Sequence, residues 1–298
     1  MLETIRLGGV SVAIGSDDPR IDCRVAGPER LFLTSDAVAS DFTIAVRRLE
    51  QYEPPRGECL FDSGLVWSLH RDGDALRIEC RSPLFGPNPY KIAIIDQAFT
   101  HADILVTPGA NPLEFPLGEL LFNALLTRRG GIEVHACGII DNGQGLVFIG
   151  NSGDGKTTTA RLWEEAGLGL TGPQAPSSGV ELVSDDRVIL RPHDGTWWMY
   201  GTPWHGDAEI CSPSRAPLRR IFALHQAAQN ALEPLSPAHG AARILACAFP
   251  PFHDVEAMQT VIGIAAAVAS AVPVARYSFV NDVSAVEYIR SLRTSKAA

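Results

Sequence analysis

The run Gly150-Asn151-Ser152-Gly153-Asp154-Gly155-Lys156-Thr157 fits the pattern G-x-x-x-x-G-K-[ST]. Each position has a chemical reason. Glycines let the backbone curl so that successive N–H groups point inward at phosphate oxygens. A helix beginning near Gly155 turns the positive end of its dipole toward the same anion. Lys156 supplies a mobile charge for β- and γ-phosphates, and Thr157 a hydroxyl for Mg²⁺. Gly150, Asn151, Ser152, Gly153, Asp154, Gly155, Lys156, Thr157 and Thr158 are therefore the candidate nucleotide-binding residues, with ATP and Mg²⁺ as the ligands such a loop takes. A glycine-rich strand-to-helix turn with an incidental lysine would give the same string. The context argues against that: the apolar run Leu146-Val147-Phe148-Ile149 precedes it, and Thr158, Thr159, Ala160, Leu162 and Trp163 suit a helix packed on a sheet.

A phosphate loop that does chemistry needs a carboxylate on or just after a nearby strand. Leu182-Val183-Ser184-Asp185-Asp186-Arg187-Val188-Ile189-Leu190 offers two adjacent ones at a strand's polar end. One can hold Mg²⁺ through water and the other can accept a proton from an attacking hydroxyl. An Asp-Asp β-turn without chemistry is the plainer alternative. The chain has no L-S-G-G-Q-like segment of transporter ATPases and no N-K-x-D base-reading motif of GTPases.

These residues need elements to position them. The first part of the chain reads as strands: Thr4–Leu7, Val10–Ile14, Leu31–Leu33, Phe42–Val46, Leu65–Leu69, Ala75–Cys80, Lys91–Ile95 and Ile104–Val106, with Asp72-Gly73 as a hairpin signal. A mostly antiparallel β-rich module over residues 1–110 is expected, ending at the turn-rich Thr107–Pro112. Leu117, Leu120, Leu121, Ala124 and Leu125 recur at helical spacing, which predicts a helix to about Thr127, stopped by Arg128-Arg129-Gly130-Gly131. Strands follow at Ile132–Ile140, Leu146–Ile149, Leu182–Ser184, Val188–Leu190, Trp197–Tyr200, Ile221–Leu224 and Arg276–Phe279, and helices at Ala238–Ala246, Val255–Ala271 and Ser284–Leu292. Val261–Ala275, the longest uncharged apolar run, is shorter than the roughly 20 residues of a spanning helix and reads as buried helix.

With 298 residues the chain suits one large domain or two ordinary ones, and its 46% hydrophobic and 20% charged residues exclude wholesale disorder. The formal net charge of −9 argues against an extended nucleic-acid partner, which needs a basic face. There is no basic start followed by a long apolar run, so no secretory signal and no membrane partner are expected. Cys23, Cys59, Cys80, Cys137, Cys211 and Cys247 are scattered and read as free buried thiols, consistent with a cytoplasmic protein.

His135, the Gly150–Thr157 loop and Leu182–Val188, in that order, resemble the HPr kinase/phosphorylase family and its wider relatives with a phosphoenolpyruvate-carboxykinase-like core. The resemblance covers residues 120–293. It implies an α/β fold (α+β overall), with a P-loop kinase core over residues 111–298 behind the N-terminal β-rich module. By the resemblance, Asp186 is the base that takes a serine proton, Asp185 supports Mg²⁺ with Thr157, His135 tunes the carboxylate pair, and Lys156 acts on the phosphates. It also implies a homo-oligomer, since relatives with this core often assemble.

Two departures bear on the acceptor. Gly167–Ser178 reads as an inserted loop, either a substrate-facing lid or a surface excursion. Where the family carries E-I-R-G-L-G, this chain has Tyr200-Gly201-Thr202-Pro203-Trp204-His205-Gly206-Asp207. That segment resembles a divergent branch, some of whose members phosphorylate a serine of a ribosomal precursor peptide. Trp204 and His205 are candidate substrate contacts, as is Arg219 from the basic set Arg215, Arg219 and Arg220. The leading expectation is an ATP- and Mg²⁺-dependent kinase acting on a serine of a protein or peptide. A small-molecule hydroxyl kinase on the same core and a non-catalytic nucleotide-binding regulator are the alternatives.

Overall fold

Alternating apolar residues build the first sheet. In the strand Phe42–Arg48, Phe42, Ile44 and Val46 are buried while Thr43 and Arg47 are exposed, the period of two that a half-covered sheet requires. The computed structural model describes residues 2–35, 39–168 and 179–294. It is a mixed α and β protein whose chain divides into two units: Met1–Leu125 with Pro251–Asp254, and Leu126–Pro250 with Val255–Ala298.

The first unit contains β1 (Leu2–Leu7), β2 (Val10–Gly15), β3 (Phe42–Arg48), β4 (Glu58–Asp62), β5 (Trp67–Asp72), β6 (Ala75–Cys80), β7 (Lys91–Ile95) and β8 (His101–Val106). They form one eight-stranded sheet in the order β1-β2-β3-β8-β7-β6-β5-β4. The sheet is not antiparallel throughout, because β3 lies parallel to both β2 and β8. The strand expected at Leu31–Leu33 is instead the end of a 3₁₀ helix, Gly27–Phe32. Pro28 presets its first turn, and only Leu33 bridges to Ile5 of β1. β4 escaped the sequence reading; its Glu58, Cys59 and Asp62 are exposed and give no alternation to read.

The helix α1 (Leu117–Arg128) crosses from one unit to the other. The units divide at Leu125/Leu126 rather than at 110/111. One reason is that Lys91 of β7 donates from Nζ to the Glu114 carbonyl, which ties the segment after Val106 to the first sheet.

The second unit contains β9 (Ile132–Asp141), β10 (Gln144–Ile149), α2 (Lys156–Leu168), β11 (Val180–Ser184), β12 (Arg187–His193), β13 (Thr196–Tyr200), β14 (Arg215–Gln226), β15 (Ala231–Pro234), α3 (Pro237–Ala246), α4 (Val255–Ala271), β16 (Val274–Phe279) and α5 (Ser284–Thr294). Its strands run β10-β9-β12-β13-β14-β16-β15, with β11 also on β9. β10 also pairs in parallel with β14, so the ladders from β9 through β12, β13, β14 and β10 return to β9 in a closed circuit.

β10 and the Ile221–Leu224 part of β14 are apolar on both faces because helices cover both. On one face Val147, Ile149 and Ile221 meet Ile244 of α3 and Val261 and Val268 of α4. On the other, Leu146, Phe148 and Phe222 meet Trp163 of α2 and Val286 of α5, with the Phe148 and Phe222 rings stacked 4.9 Å apart. Burying Phe148 alone is worth about 2–3 kcal/mol of transfer free energy, so this packing fixes where β10 ends and α2 begins.

The run Val261–Ala275 is not one buried helix. α4 stops at Ala271, Pro273 intervenes, and Val274 starts β16; Ile262 on the helix is 48% exposed. Cys59 is exposed and Cys211 half-buried, so only four of the six free thiols fit the buried expectation. Residues 169–178, which hold most of the expected inserted loop, lie outside the described residues. Among the described residues, no helix is long and apolar enough to cross a membrane.

Candidate functional site

The phosphate-loop residues connect β10 to α2. Gly153 and Gly155 have φ of 89° and 105°, which only glycine adopts without strain. A Cβ on Gly155 would also lie 2.6 Å from the Phe279 ring, so the loop packs on β16 through a glycine by necessity. Asp154 closes the turn, its Oδ2 accepting from the Asn151 N–H at 2.7 Å. Gln226, at the end of β14, donates from Nε2 to the Gly153 carbonyl at 3.1 Å. Asn151, Ser152 and Gly153 are exposed and Thr157 and Thr158 half-buried, so the loop's outer face is open.

Lys156 is 7% exposed and donates to the Gly150 and Asn151 carbonyls at 3.2 and 3.1 Å. Burial pushes its ammonium below the usual lysine range, and the charge of Asp186 is the largest influence opposing that. Asp186 therefore acts electrostatically on the loop lysine, although the two are far apart in sequence.

The register of β9 explains how. Ala136 pairs with Ile149, the last residue of β10. The Ala136 N–H also donates to the Asp186 carbonyl at 2.8 Å. β11 and β12 both run antiparallel to β9, at 138–141 and 132–135 respectively, and Asp185-Asp186 is the break between them. One stretch of β9 thus holds the start of the phosphate loop on one edge and the carboxylate pair on the other. Ser184 shapes the break, its Oγ accepting the N–H groups of Asp186 and Arg187.

The two carboxylates have different surroundings. Asp185 is 2% exposed, and its oxygens accept the Gly206 and Ala208 N–H groups at 2.9 and 2.8 Å. Asp186 is half-buried; its Oδ1 lies 2.9 Å from His135 Nε2 and its Oδ2 3.3 Å from Arg187 Nε. The His135 hydrogen bond holds Asp186 below the usual carboxylate range against an opposing push from burial, helped by the charges of His135 and Arg187. Arg187 is held in turn by the buried Glu133 at 3.3 Å and lies over the Phe249 ring at 4.4 Å. The His135 backbone N–H donates to the Cys247 carbonyl at 2.7 Å, where α3 ends.

The structure thus brings together His135, Lys156, Asp186 and the loop. Trp204 and His205 sit on the segment folded over Asp185, Trp204 half-buried and His205 exposed with Nδ1 3.1 Å from the Gly206 carbonyl. Thr202 anchors that segment by donating to the Arg187 carbonyl at 2.9 Å. Arg219 is not brought to the site. Gly145 pairs with Leu218 and Leu146 with Arg220, so Arg219 stands at the start of β10. The phosphate loop follows the strand's other end, about 13 Å further along.

Glu133, Gln226 and Phe279 are site residues that motif reading did not single out, and Arg187, though part of the Leu182–Val188 motif, was given no role there. Glu133 had a signal: it is two residues before His135 on a strand, on the same face. Among the described residues no three His, Cys, Asp or Glu side chains converge to hold a metal by themselves. An Mg²⁺ carried on phosphate oxygens and water needs only one or two protein oxygens. The Thr157 hydroxyl fits that role; Asp185, buried and engaged by two N–H groups, fits as an anchor for the 206–208 turn better than as a direct ligand. Compared with known proteins, the chain matches no family model and no curated protein.

Proposed function

We propose that this chain is a kinase of the HPr-kinase-like type, transferring the γ-phosphoryl group of ATP to a serine hydroxyl of a protein or peptide. The observation that carries the reading is the juxtaposition made by β9: a glycine-framed phosphate loop with Lys156 on one edge, and the His135–Asp186 pair, 2.9 Å apart, on the other. A binding module that only holds nucleotide has no use for a carboxylate whose ionisation is set by a histidine and whose charge acts on the loop lysine.

The residues then divide the work. Backbone N–H groups of the Gly150–Gly155 loop and the N-terminus of α2 hold the phosphates, and Lys156 swings from the Gly150 and Asn151 carbonyls to the β- and γ-phosphates. Mg²⁺, when bound, draws charge from the phosphate oxygens; Thr157 would hold it. Asp186 accepts the serine proton while the serine oxygen forms its bond to the γ-phosphorus. The bond from that phosphorus to the bridging oxygen breaks, and its electron pair leaves with ADP. His135 fixes the Asp186 carboxylate through Oδ1 and Arg187 holds Oδ2 at 3.3 Å, which leaves the second lone pair of Oδ2 for the serine proton. Asp185 holds the 206–208 turn, and with it Trp204 and His205, beside the acceptor position.

The test is transfer of labelled γ-phosphate to a library of serine-bearing peptides, with nucleotide binding measured in parallel. Asp186→Asn is expected to lower transfer by about 10²–10⁴-fold while nucleotide affinity stays within about tenfold. Transfer within tenfold of wild type removes Asp186 as the base. Nucleotide binding with no transfer to any peptide removes the protein- and peptide-kinase reading.

A further inference from the structure

The first sheet ends in an open strand. β4 pairs only with β5 among the described residues, so its outer backbone N–H and C=O groups have no ladder partner. Open edges of this kind are templates for another strand. Gly57 leads into it because a Cβ there would lie 1.5 Å from the Arg71 carbonyl oxygen, so the chain is pressed against β5 from the outset.

Beside this edge lies an apolar surface that the fold leaves uncovered. Leu65 is 82% exposed, Phe252 58% and Val66 40%. The Phe61 ring stands 4.6 Å from Trp67 and 5.0 Å from Phe252, forming one aromatic cluster with them. The turn that presents Leu65 and Val66 is held firmly. Ser63 Oγ accepts from the Val66 and Trp67 N–H groups at 3.1 and 2.9 Å, and Asp62 accepts from Gly64 N–H at 2.8 Å. The exposed apolar groups are preorganised, which lowers the ordering cost of binding.

Charge chooses the occupant. The first unit has 19 acidic and 11 basic residues, a net of −8, whereas the second has 15 and 14, a net of −1. Outside the buried Arg77–Glu79 pair, residues 53–81 carry five carboxylates against three guanidinium groups. A second copy of the chain would bring like charge to like charge. The register shift between Cys59 and Phe61 and the carboxylates of Glu58 and Asp62 are also the devices by which sheet edges resist pairing with themselves.

We propose that the β4 edge binds a short, extended, cationic segment of a partner protein by strand addition, the apolar side chains of one of its faces resting on Phe61, Leu65 and Phe252. The proposal does not rest on the transfer reaction, because binding is read without nucleotide.

The probe is the fluorescein-labelled peptide Lys-Val-Lys-Val-Lys-Val-Lys, titrated with the 298-residue chain, with hydrogen exchange measured on the same samples. Saturable binding and slowed exchange of the Glu58–Asp62 amides are expected. The same peptide N-methylated at alternate residues should bind at least roughly tenfold more weakly, since it keeps the charge and loses the ladder donors. The Glu-Val counterpart should not bind. Phe252→Ser is expected to weaken binding by roughly tenfold; should that variant unfold, Leu65→Ser reads the same surface. Equal binding of the N-methylated peptide overturns the proposal in favour of charge attraction alone. Unchanged exchange at Glu58–Asp62 overturns it, and so does concentration-dependent dimerisation that protects β4 without peptide.

Discussion

Lys91 in the first unit and Lys156 in the second are both buried, at 0% and 7% exposure, and burial pushes both ammonium groups below the usual lysine range. Their surroundings differ in kind. Lys91 is sealed: Nζ donates to the Glu114 carbonyl and lies 5.1 Å from the centre of the Tyr90 ring. Lys156 lies under an open loop, donates to two carbonyls of that loop, and is within electrostatic reach of Asp186. The desolvation cost is the same physics in both places. In the first unit it ties a returning segment to the sheet. In the second it leaves a cation held only by two neutral carbonyls, which on the proposed kinase reading a phosphate draws outward.

The largest expected effect breaks this comparison directly. Lys156→Met should reduce phosphoryl transfer by more than about 10³-fold and lower nucleotide affinity, read by γ-phosphate transfer and calorimetry. Lys91→Met should leave both untouched. Its effect is on stability, and the sign follows from the lowered value. The folded state disfavours charged Lys91, so the penalty is full below the folded pKa and fades as pH rises toward 10.5. The wild-type first unit should therefore gain stability on going from pH 7 to pH 10, measured by hydrogen exchange in β6 and β7, and Lys91→Met should not. At pH 7 the variant's melting temperature should be equal to wild type or higher by about 3 °C. A large loss on Lys91→Met would mean that its hydrogen bond to Glu114 outweighs the desolvation.

A second pair of positions sharpens the contrast between an open and a packed backbone. Gly155 (φ 105°) faces the Phe279 ring, and Gly73 (φ 65°), in the β5–β6 hairpin, has nothing within 4 Å of an added Cβ. Gly155→Ala combines positive-φ strain with a clash, about 2–3 kcal/mol, which lowers the melting temperature by roughly 5–10 °C. Nucleotide affinity should fall at least about tenfold, since the same glycine aims the loop. Gly73→Ala carries only the conformational term, about 1 kcal/mol, and should leave nucleotide affinity unchanged. Equal thermal losses would show that packing on Phe279 adds nothing to backbone conformation.

The second unit was more legible in the sequence than the first, and the reason is locality. A phosphate loop is contiguous, so Gly150–Thr157 announces itself, and the apolar run Leu146–Ile149 announces a strand covered on both faces. The pairing of His135 with Asp186 is not local. It depends on the register of β12 against β9, and only a family resemblance put those residues side by side. Arg219 shows the converse: its charge suggested the site, but the parallel register of β14 on β10 places it at the far end. Gln226 reaches the loop through that same register and carries no motif. In the first unit, Leu31–Leu33 reads as a strand by composition, yet Pro28 and the single bridge to Ile5 make it the tail of a 3₁₀ helix. The strand β4 was invisible because an edge strand with an uncovered face has no alternation.

Two aspartates held low by a neighbour supply the smaller effects. His135 sets Asp186, which is half-buried. A carboxylate whose folded pKa is depressed contributes stability above its unfolded value, near 3.8, and loses it as pH falls through the folded value. His135→Ala removes the leading cause. The variant should be less stable than wild type by about 1–2 kcal/mol at pH 7, and the gap should close as pH drops below 4. Urea unfolding at a series of pH values measures this, and a gap that stays constant in acid would assign the loss to packing against Phe249.

Arg20 does the same for Asp18 in the first unit, holding it to about 2 through hydrogen bonds at 2.7 and 2.9 Å. The direction and window match those of Asp186: a contribution present above 3.8 and lost toward about 2. The two carboxylates are about equally exposed, Asp18 at 24% and Asp186 at 26%, but Arg20 is 69% exposed against 25% for His135, so salt screens the Asp18 pair and water competes for its guanidinium. Arg20→Ala should raise the Asp18 titration, followed by NMR, toward 3.8 but not to it, because the backbone N–H of residue 20 still donates to Oδ1 at 3.0 Å, and the stability gap in urea unfolding at physiological salt should be smaller than that of His135→Ala, closing in acid by the same linkage. A gap as large as that of His135→Ala would mean that the exposed Arg20 guanidinium couples Asp18 to folding as strongly as His135 couples Asp186. The depressed carboxylate of the first unit would then be coupled to folding as the one in the second unit is, and the contrast between the two would lie only in what each is coupled to.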